Sequence, residues 1–151
     1  MVHDAKIALH WHKKVRAWLP PGGHIEPNED PVQAVLREVL EETGLECEVV
    51  PTGERLELEY PTQVDTPYTI MVEDIHDPVQ GFHHHIDMIY FCQLVDSTSE
   101  INEGWHWVSK QQLLDAVMLK NPDGSSEAPP QDVITLGIRA IDFIAELESS
   151  Q

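Results

Sequence analysis

The stretch 23–45 constrains this chain more than any other. It reads Gly-His-Ile-Glu-Pro-Asn-Glu-Asp-Pro-Val-Gln-Ala-Val-Leu-Arg-Glu-Val-Leu-Glu-Glu-Thr-Gly-Leu. Asp30 followed by Pro31 is a helix start, a capping carboxylate and then a proline at the first helical position. Gly44 is a helix stop. The residues between are mostly good helix formers. At ~100° per residue, Val32, Val35, Leu36 and Val39 share an apolar face. Glu38, Glu41 and Glu42 share another arc, and Ala34 falls on it, where it is expected to keep the acids sterically open.

These three carboxylates lie in the C-terminal half of the helix, where the macrodipole is negative and like charges at this spacing repel. No lysine or arginine is expected to relieve them. A helix built this way favours a cation, and clustered carboxylate oxygens suit Mg²⁺, Mn²⁺ or Ca²⁺ rather than zinc. The competing reading is a solvated acidic face.

The flanks favour the site. Pro20-Pro21-Gly22-Gly23 precedes the helix, and a Gly-Gly pair allows close approach of the backbone to a ligand. Gly23, five residues, Glu29, seven residues, then Arg37-Glu38-Val39-Leu40-Glu41-Glu42-Thr43-Gly44-Leu45 fills every fixed position of the Nudix box. The chain therefore resembles the Nudix (MutT-like) hydrolase family. Softer similarity spans nearly the whole chain.

The resemblance implies an α/β (α+β) fold, an α/β/α sandwich with a mixed β-sheet. It implies a metal-dependent pyrophosphohydrolase acting on a nucleoside di- or triphosphate, or on a nucleoside diphosphate linked to another moiety. By the family motif, Glu38, Glu41 and Glu42 are the metal-site and catalytic carboxylates, with Mg²⁺ or Mn²⁺ as cofactor and the Gly22 carbonyl as a further candidate ligand. Glu29 and Arg37 are the structural charge pair that holds the loop against the helix. A glutamate from the late acidic loop, Glu103 or Glu100, joins the site in many members. Arg16, Trp18, His83 and His85 are candidate substrate contacts. Trp11, Tyr68, Phe82 and Trp105 are further aromatic candidates, each, like Trp18, weighed against a place in the core. The rival is a catalytically silent Nudix-like domain that binds a nucleotide as a regulator. Retention of every box acid favours catalysis. An isopentenyl diphosphate isomerase chemistry is disfavoured, because neither cysteine stands in a catalytic context.

At 151 residues the chain is expected to form a single domain over 1–151. Its formal charge of -18 opposes binding to a nucleic acid duplex or an anionic membrane. An anionic substrate then needs local help from metal or placed basic groups. Three of only nine Lys and Arg residues, Lys13, Lys14 and Arg16, stand just before the Gly-Gly loop. Cys47 and Cys92 form no metal or disulfide pattern, and no signal peptide or membrane-length apolar run is visible, so a cytoplasmic setting is expected.

Along the chain, 6–12 and 17–19 read as strands of a hairpin. The segment 46–60 reads as one long strand or a bent pair, 69–75 as a strand, and 83–94 as a central strand with apolar residues on both faces. His83-His84-His85 invites a metal reading. Only alternate strand residues converge, however, and no cysteine accompanies them, so a polar lining near substrate is the favoured role. The segment 97–104 reads as a loop, 105–108 as a strand, and 109–119 as a capped helix. The segment 121–130 is a connection, and 131–147 is an amphipathic helix closing the core. Family members usually carry a further N-terminal strand. About five residues precede the first hairpin here, so either that strand is missing or the chain begins late; a missing strand would leave a sheet edge for a second subunit to cover in a homodimer.

Overall fold

The structure is a computed structural model and describes residues 1–96 and 98–150. The alternating run Lys6–His12 forms strand β2, and Ala17–Leu19 forms β3. They pair antiparallel with Trp11 opposite Trp18. Val2–His3 forms a short strand β1, which decides against a missing N-terminal strand. It pairs antiparallel with β2 and parallel with Cys92–Leu94 (β7). It thus lies between two neighbours and leaves no edge of the expected kind. Cys47–Val49 (β4) pairs with β7, and Trp105–Ser109 (β8) pairs with β2 along Lys6–His10. The result is a mixed six-stranded sheet in the order β3-β2-β1-β7-β4, with β8 on the far side of β2.

Pro31–Thr43 forms helix α1 with both predicted boundaries. The Asp30 carboxylate accepts from the amides of Val32 and Gln33, and Gln33 returns a bond to the Asp30 amide. Gly44 closes the helix in the left-handed conformation, φ 73°, which a residue with a Cβ adopts at a cost. The buried side differs from the one expected: Ala34, Val39 and Thr43 are buried, whereas Val32, Val35 and Leu36 are only half-buried. Ala34 therefore packs inward rather than keeping the acid arc open, and Glu38 and Glu42 stand above that inward side.

Gln131–Ser149 forms helix α3, as expected, and packs Val133, Ile134, Ala140, Ile141 and Ile144 against Ile7, Leu9, Val108 and Phe91. At Gly137 a Cβ would sit 2.5 Å from Ile7 Cδ1, so the helix lies directly on β2. Trp105 pairs with His10 on the opposite face of the sheet and donates to a carbonyl at the end of α1. The two long helices thus sandwich the sheet. No helix among the described residues is long and apolar enough to cross a membrane.

Three segments depart from expectation. Beyond Val49, the chain through residue 68 forms no strand. Pro51, Pro61 and Pro67 lack amide donors, and side chains close the loop instead: Arg55 with Asp65, and the Leu56 amide on Gln63. The expected central strand over 83–94 is two strands. Gly81–Ile89 (β6) pairs only with Thr69–Asp77 (β5), in a separate ribbon turning at 78–80, and β7 begins after Phe91 turns into the core. Apolar residues on both faces of β6 therefore do not mark a central strand. The helix after Ser109 ends at Leu114 (α2, Lys110–Leu114), and Leu119–Lys120 (β9) pairs with Ser126–Glu127 (β10). Of the loop predicted over 97–104, Ser97 lies outside the described residues.

Candidate active site

Arg37 organises the acids. Its Nε donates to Glu29 Oε1 at 2.8 Å and its Nη2 to Glu29 Oε2 at 3.0 Å, a fork-on-carboxylate pair. Nη2 also donates to the His24 carbonyl at 3.0 Å, which ties the loop to the helix. Nη1 donates to Glu38 Oε1 at 2.8 Å and to Glu41 Oε2 at 3.3 Å. This corrects the reading that no cation relieves the helix acids, since Arg37 stands four residues before Glu41 and beside Glu38. The relief is partial, with three carboxylates sharing one guanidinium and Glu42 outside its reach. Arg37 holds the Glu29 carboxyl down to about 2, aided by the Glu26 amide, and Glu29 and Glu38 in turn push the guanidinium further up.

That depressed value fixes a pH dependence. Glu29 contributes stability that is complete above the ordinary glutamate range and lost as pH falls through about 2. Replacing it with Gln removes this contribution. The melting-temperature gap between wild type and Glu29→Gln is expected to be widest above about pH 5 and to close progressively below the ordinary glutamate value of ~4.3. A pH-independent gap in calorimetric scans overturns the assignment.

Among the described residues no basic side chain hydrogen-bonds to Glu42; its Oε2 accepts from the Gly22 amide at 3.1 Å. Burial raises its carboxyl above the usual range, and the charges of Glu38 and Glu41 push the same way, against the Gly22 bond and His12. Glu38 lies against the loop so closely that a Cβ on Gly23 would sit 2.1 Å from its Oε1. The obstruction is the end of a flexible side chain, so Gly23→Ala is expected to cost less than about 1 kcal/mol of stability. It should displace the Glu38 carboxylate and lower kcat by about 10²-fold. Thermal melts and steady-state kinetics on the same preparation test this, and unchanged kcat removes Gly23 from the site.

These residues meet the chemical demands of a hard divalent cation. Glu38, Glu41 and Glu42 offer only oxygen donors, and their mutual repulsion is the field a cation relieves. Among the described residues no group of three or more His, Cys, Asp or Glu side chains is already gathered closely enough to hold a metal ion. Mg²⁺ asks for no such cage, since it binds through one or two carboxylates, waters and substrate phosphates.

The other predicted residues separate. Trp18 is 1 % exposed, and its indole N–H donates to the buried Asn121 Oδ1 at 2.9 Å. It is a core residue, the alternative weighed against substrate stacking at this position, and not a substrate contact. Arg16 is exposed in the turn between β2 and β3 with φ 58°. His83 and His85 project from the same face of β6, with their Nε2 atoms 3.3 Å apart, and the His85 ring meets His24 edge-on at 5.6 Å. The ribbon therefore borders the box loop. Its tip is also tethered, by Lys14 to Asp77 at 3.6 Å. Glu103 is exposed, and Glu100 lines a separate cavity of about 460 Å³ with His3, Lys6 and Trp107.

Sequence reasoning missed the clamp on the end of α1. Asn102 Nδ2 and Trp105 Nε1 both donate to the Glu42 carbonyl at 3.0 Å, and the Asn102 amide donates to the Thr43 carbonyl. Trp105 also stacks on His10 at 4.4 Å, and burial with the neighbouring His12 lowers the His10 imidazole below its ordinary value. An asparagine beside an acidic loop carries no sequence signal for this role.

The NUDIX domain model matches residues 2–128, every strand and the box helix included. The chain belongs to the NUDIX family. A solved NUDIX-family hydrolase from Clostridium perfringens is 26% identical. That alignment covers 95% of this chain and 92% of the other, with a TM-score of 0.74. Among curated relatives, the asymmetrical bis(5'-nucleosyl)-tetraphosphatase of Rattus norvegicus is 44% identical over 48 residues, 30% of this chain and 33% of that protein. An m7GpppN-mRNA hydrolase of Danio rerio is 64% identical over 28 residues, 18% of this chain and 9% of that protein. The Nudix chain thus spans a third or less of the length of these curated relatives.

Proposed function

We propose that this Nudix chain is a metal-dependent pyrophosphohydrolase that cleaves a phosphoanhydride bond of a nucleoside di- or triphosphate or of a nucleotide conjugate. The observation that carries this reading is the clamp at the box. One guanidinium binds Glu29, Glu38 and Glu41 and the His24 carbonyl, and Glu42 is held on the Gly22 amide. Hydrolysis of a phosphoanhydride needs neutralised non-bridging oxygens and a positioned, activated water, and a bound divalent cation supplies both. Glu38, Glu41 and Glu42 would hold Mg²⁺ or Mn²⁺, with the Gly22 carbonyl as a further ligand.

The chain's own groups do the positioning. Arg37 fixes the loop against the helix, so the acids and the Gly-Gly backbone keep one geometry. Asn102 and Trp105 secure the last turn of α1, from which Glu42 projects. Glu38 is the candidate to orient and deprotonate the attacking water. Glu103 is the candidate late-loop acid, since Asn102 fastens its loop to that turn, whereas Glu100 faces another cavity. His83 and His85 supply polar contacts to the phosphate chain from the ribbon beside the loop. Partial relatives that act on dinucleoside tetraphosphate and on capped mRNA support a nucleotide bearing a polyphosphate chain as substrate. The acidic surface argues against a duplex or a membrane as partner, and we assign the protein to the cytoplasm.

A panel of nucleoside triphosphates, dinucleoside polyphosphates and nucleotide sugars, assayed for phosphate release with Mg²⁺ or Mn²⁺ and a coupling phosphatase, tests the proposal. Metal-dependent turnover of at least one member is expected. Nucleotide binding with no turnover across the panel supports the regulatory-domain reading instead.

A further inference from the structure

The β5–β6 ribbon has two unlike faces. One carries His83 and His85 toward His24 and the box loop. The other is bare: Ile70, Val72, Phe82, Ile86 and Met88 stand on it between 39% and 65% exposed. A two-stranded ribbon is marginal in water without something packed on it, and contiguous apolar patches of this kind mark interaction sites. No third strand joins the ribbon among the described residues.

The register says what fits there. Across the bare face Ile70 is opposite Met88, Val72 opposite Ile86, Asp74 opposite His84, and His76 opposite Phe82. Consider a two-fold axis in the plane of this face, parallel to the strands and midway between them. It lays β5 of one copy over β6 of the other at the same register. Each pairing within a copy then recurs between copies. Ile70 meets Met88, Val72 meets Ile86, His76 meets Phe82, and Asp74 meets His84, the acid and imidazole that already pair at 3.2 Å within one chain. Glu73 and Asp87 point to the other face. An isologous contact needs this self-complementarity, and aligned sheet-on-sheet packing is a standard arrangement. With these exposures the face offers on the order of 600 Å² per copy, so a pair buries on the order of 1,200 Å², the lower bound for a stable interface.

We propose that this face docks a second copy of the chain, forming a two-fold homodimer through the β5–β6 ribbons. The interface differs from the N-terminal sheet edge expected from sequence, which β1 fills. It stands on the ribbon alone and holds whatever the substrate is. Its consequence for the site is mechanical: a ribbon packed against a second ribbon keeps His83 and His85 beside the box loop.

Sedimentation velocity of the full chain over micromolar to submillimolar concentrations tests this. Wild type is expected to be a dimer. Ile86→Lys and Val72→Glu should each weaken association by at least ten-fold, with circular dichroism and melting temperature showing that the fold survives. Asp74→Lys should weaken it likewise, and the second change His84→Asp should restore it, because the axis places each over the other. A monomeric wild type overturns the proposal and leaves the face to a different protein. A dimer indifferent to Val72, Ile86 and the Asp74–His84 exchange overturns the interface.

Discussion

Glu42→Gln is expected to lower kcat by on the order of 10³-fold while leaving the fold intact. The two halves of that expectation have separate causes. The Gln amide oxygen still accepts the Gly22 N–H bond that Glu42 Oε2 now takes at 3.1 Å, so the loop keeps its tie to the helix. The substitution also removes a charge that Glu38 and Glu41 oppose, so the melting temperature should hold or rise slightly. A formal negative charge at the site is lost, and with it much of the attraction for a divalent cation. Isothermal titration with Mn²⁺ should therefore show weaker binding in parallel with the loss of turnover. Glu41→Gln should be milder, because that side chain is 61% exposed and shares Arg37 with two other acids. Turnover equal to wild type in Glu42→Gln would sink the site assignment.

The box was legible because it is local. Asp30, Pro31 and Gly44 set the ends of α1 by capping chemistry that acts within four residues, and the pairing of Glu29 with Arg37 is what the family motif implies. The buried face of the same helix was less legible. Hydrophobicity points to Val32, Val35, Leu36 and Val39, but of these only Val39 is buried, together with Ala34 and Thr43. The acids must stand at the inner edge of the helix to meet the loop, and small residues let them do so. Arg37 reaches Glu41 as well, because a guanidinium forked on Glu29 through Nε and Nη2 still has Nη1 to donate one turn further along the helix.

Long-range pairing was the least legible. The sequence places β5 closely but runs β6 and β7 together over 83–94, and it gives no sign that β5 and β6 form a ribbon outside the main sheet. Period-two patterning says which residues share a face and leaves open what lies against it. The same gap hid β1. Two residues suffice for a strand when Val2 finds Ile7 on one side and Gln93 on the other. The anchoring of the late loop by Asn102 depends on a contact across 60 positions, which only the folded chain brings together.

Trp18 carries the largest expected effect on stability. It is almost fully buried, packs against Trp11 and His106, and places its indole N–H on Asn121, itself 2% exposed. Trp18→Ala leaves a cavity and an unpaired buried amide oxygen. A loss of about 3–5 kcal/mol is expected from truncation, a large share of the ~5–15 kcal/mol that holds a typical domain folded. Trp18→Phe keeps most of the packing and removes only the donor, so it should cost about 1–3 kcal/mol for the orphaned Asn121 oxygen. Urea unfolding of both variants separates the two contributions. The comparison also decides between the packing role and the stacking role that position suggested, just before the Gly-Gly loop. A residue that stacks substrate would raise KM in Trp18→Phe without moving the unfolding midpoint. A residue that closes the core moves the midpoint and leaves KM alone, as the contact with Asn121 requires.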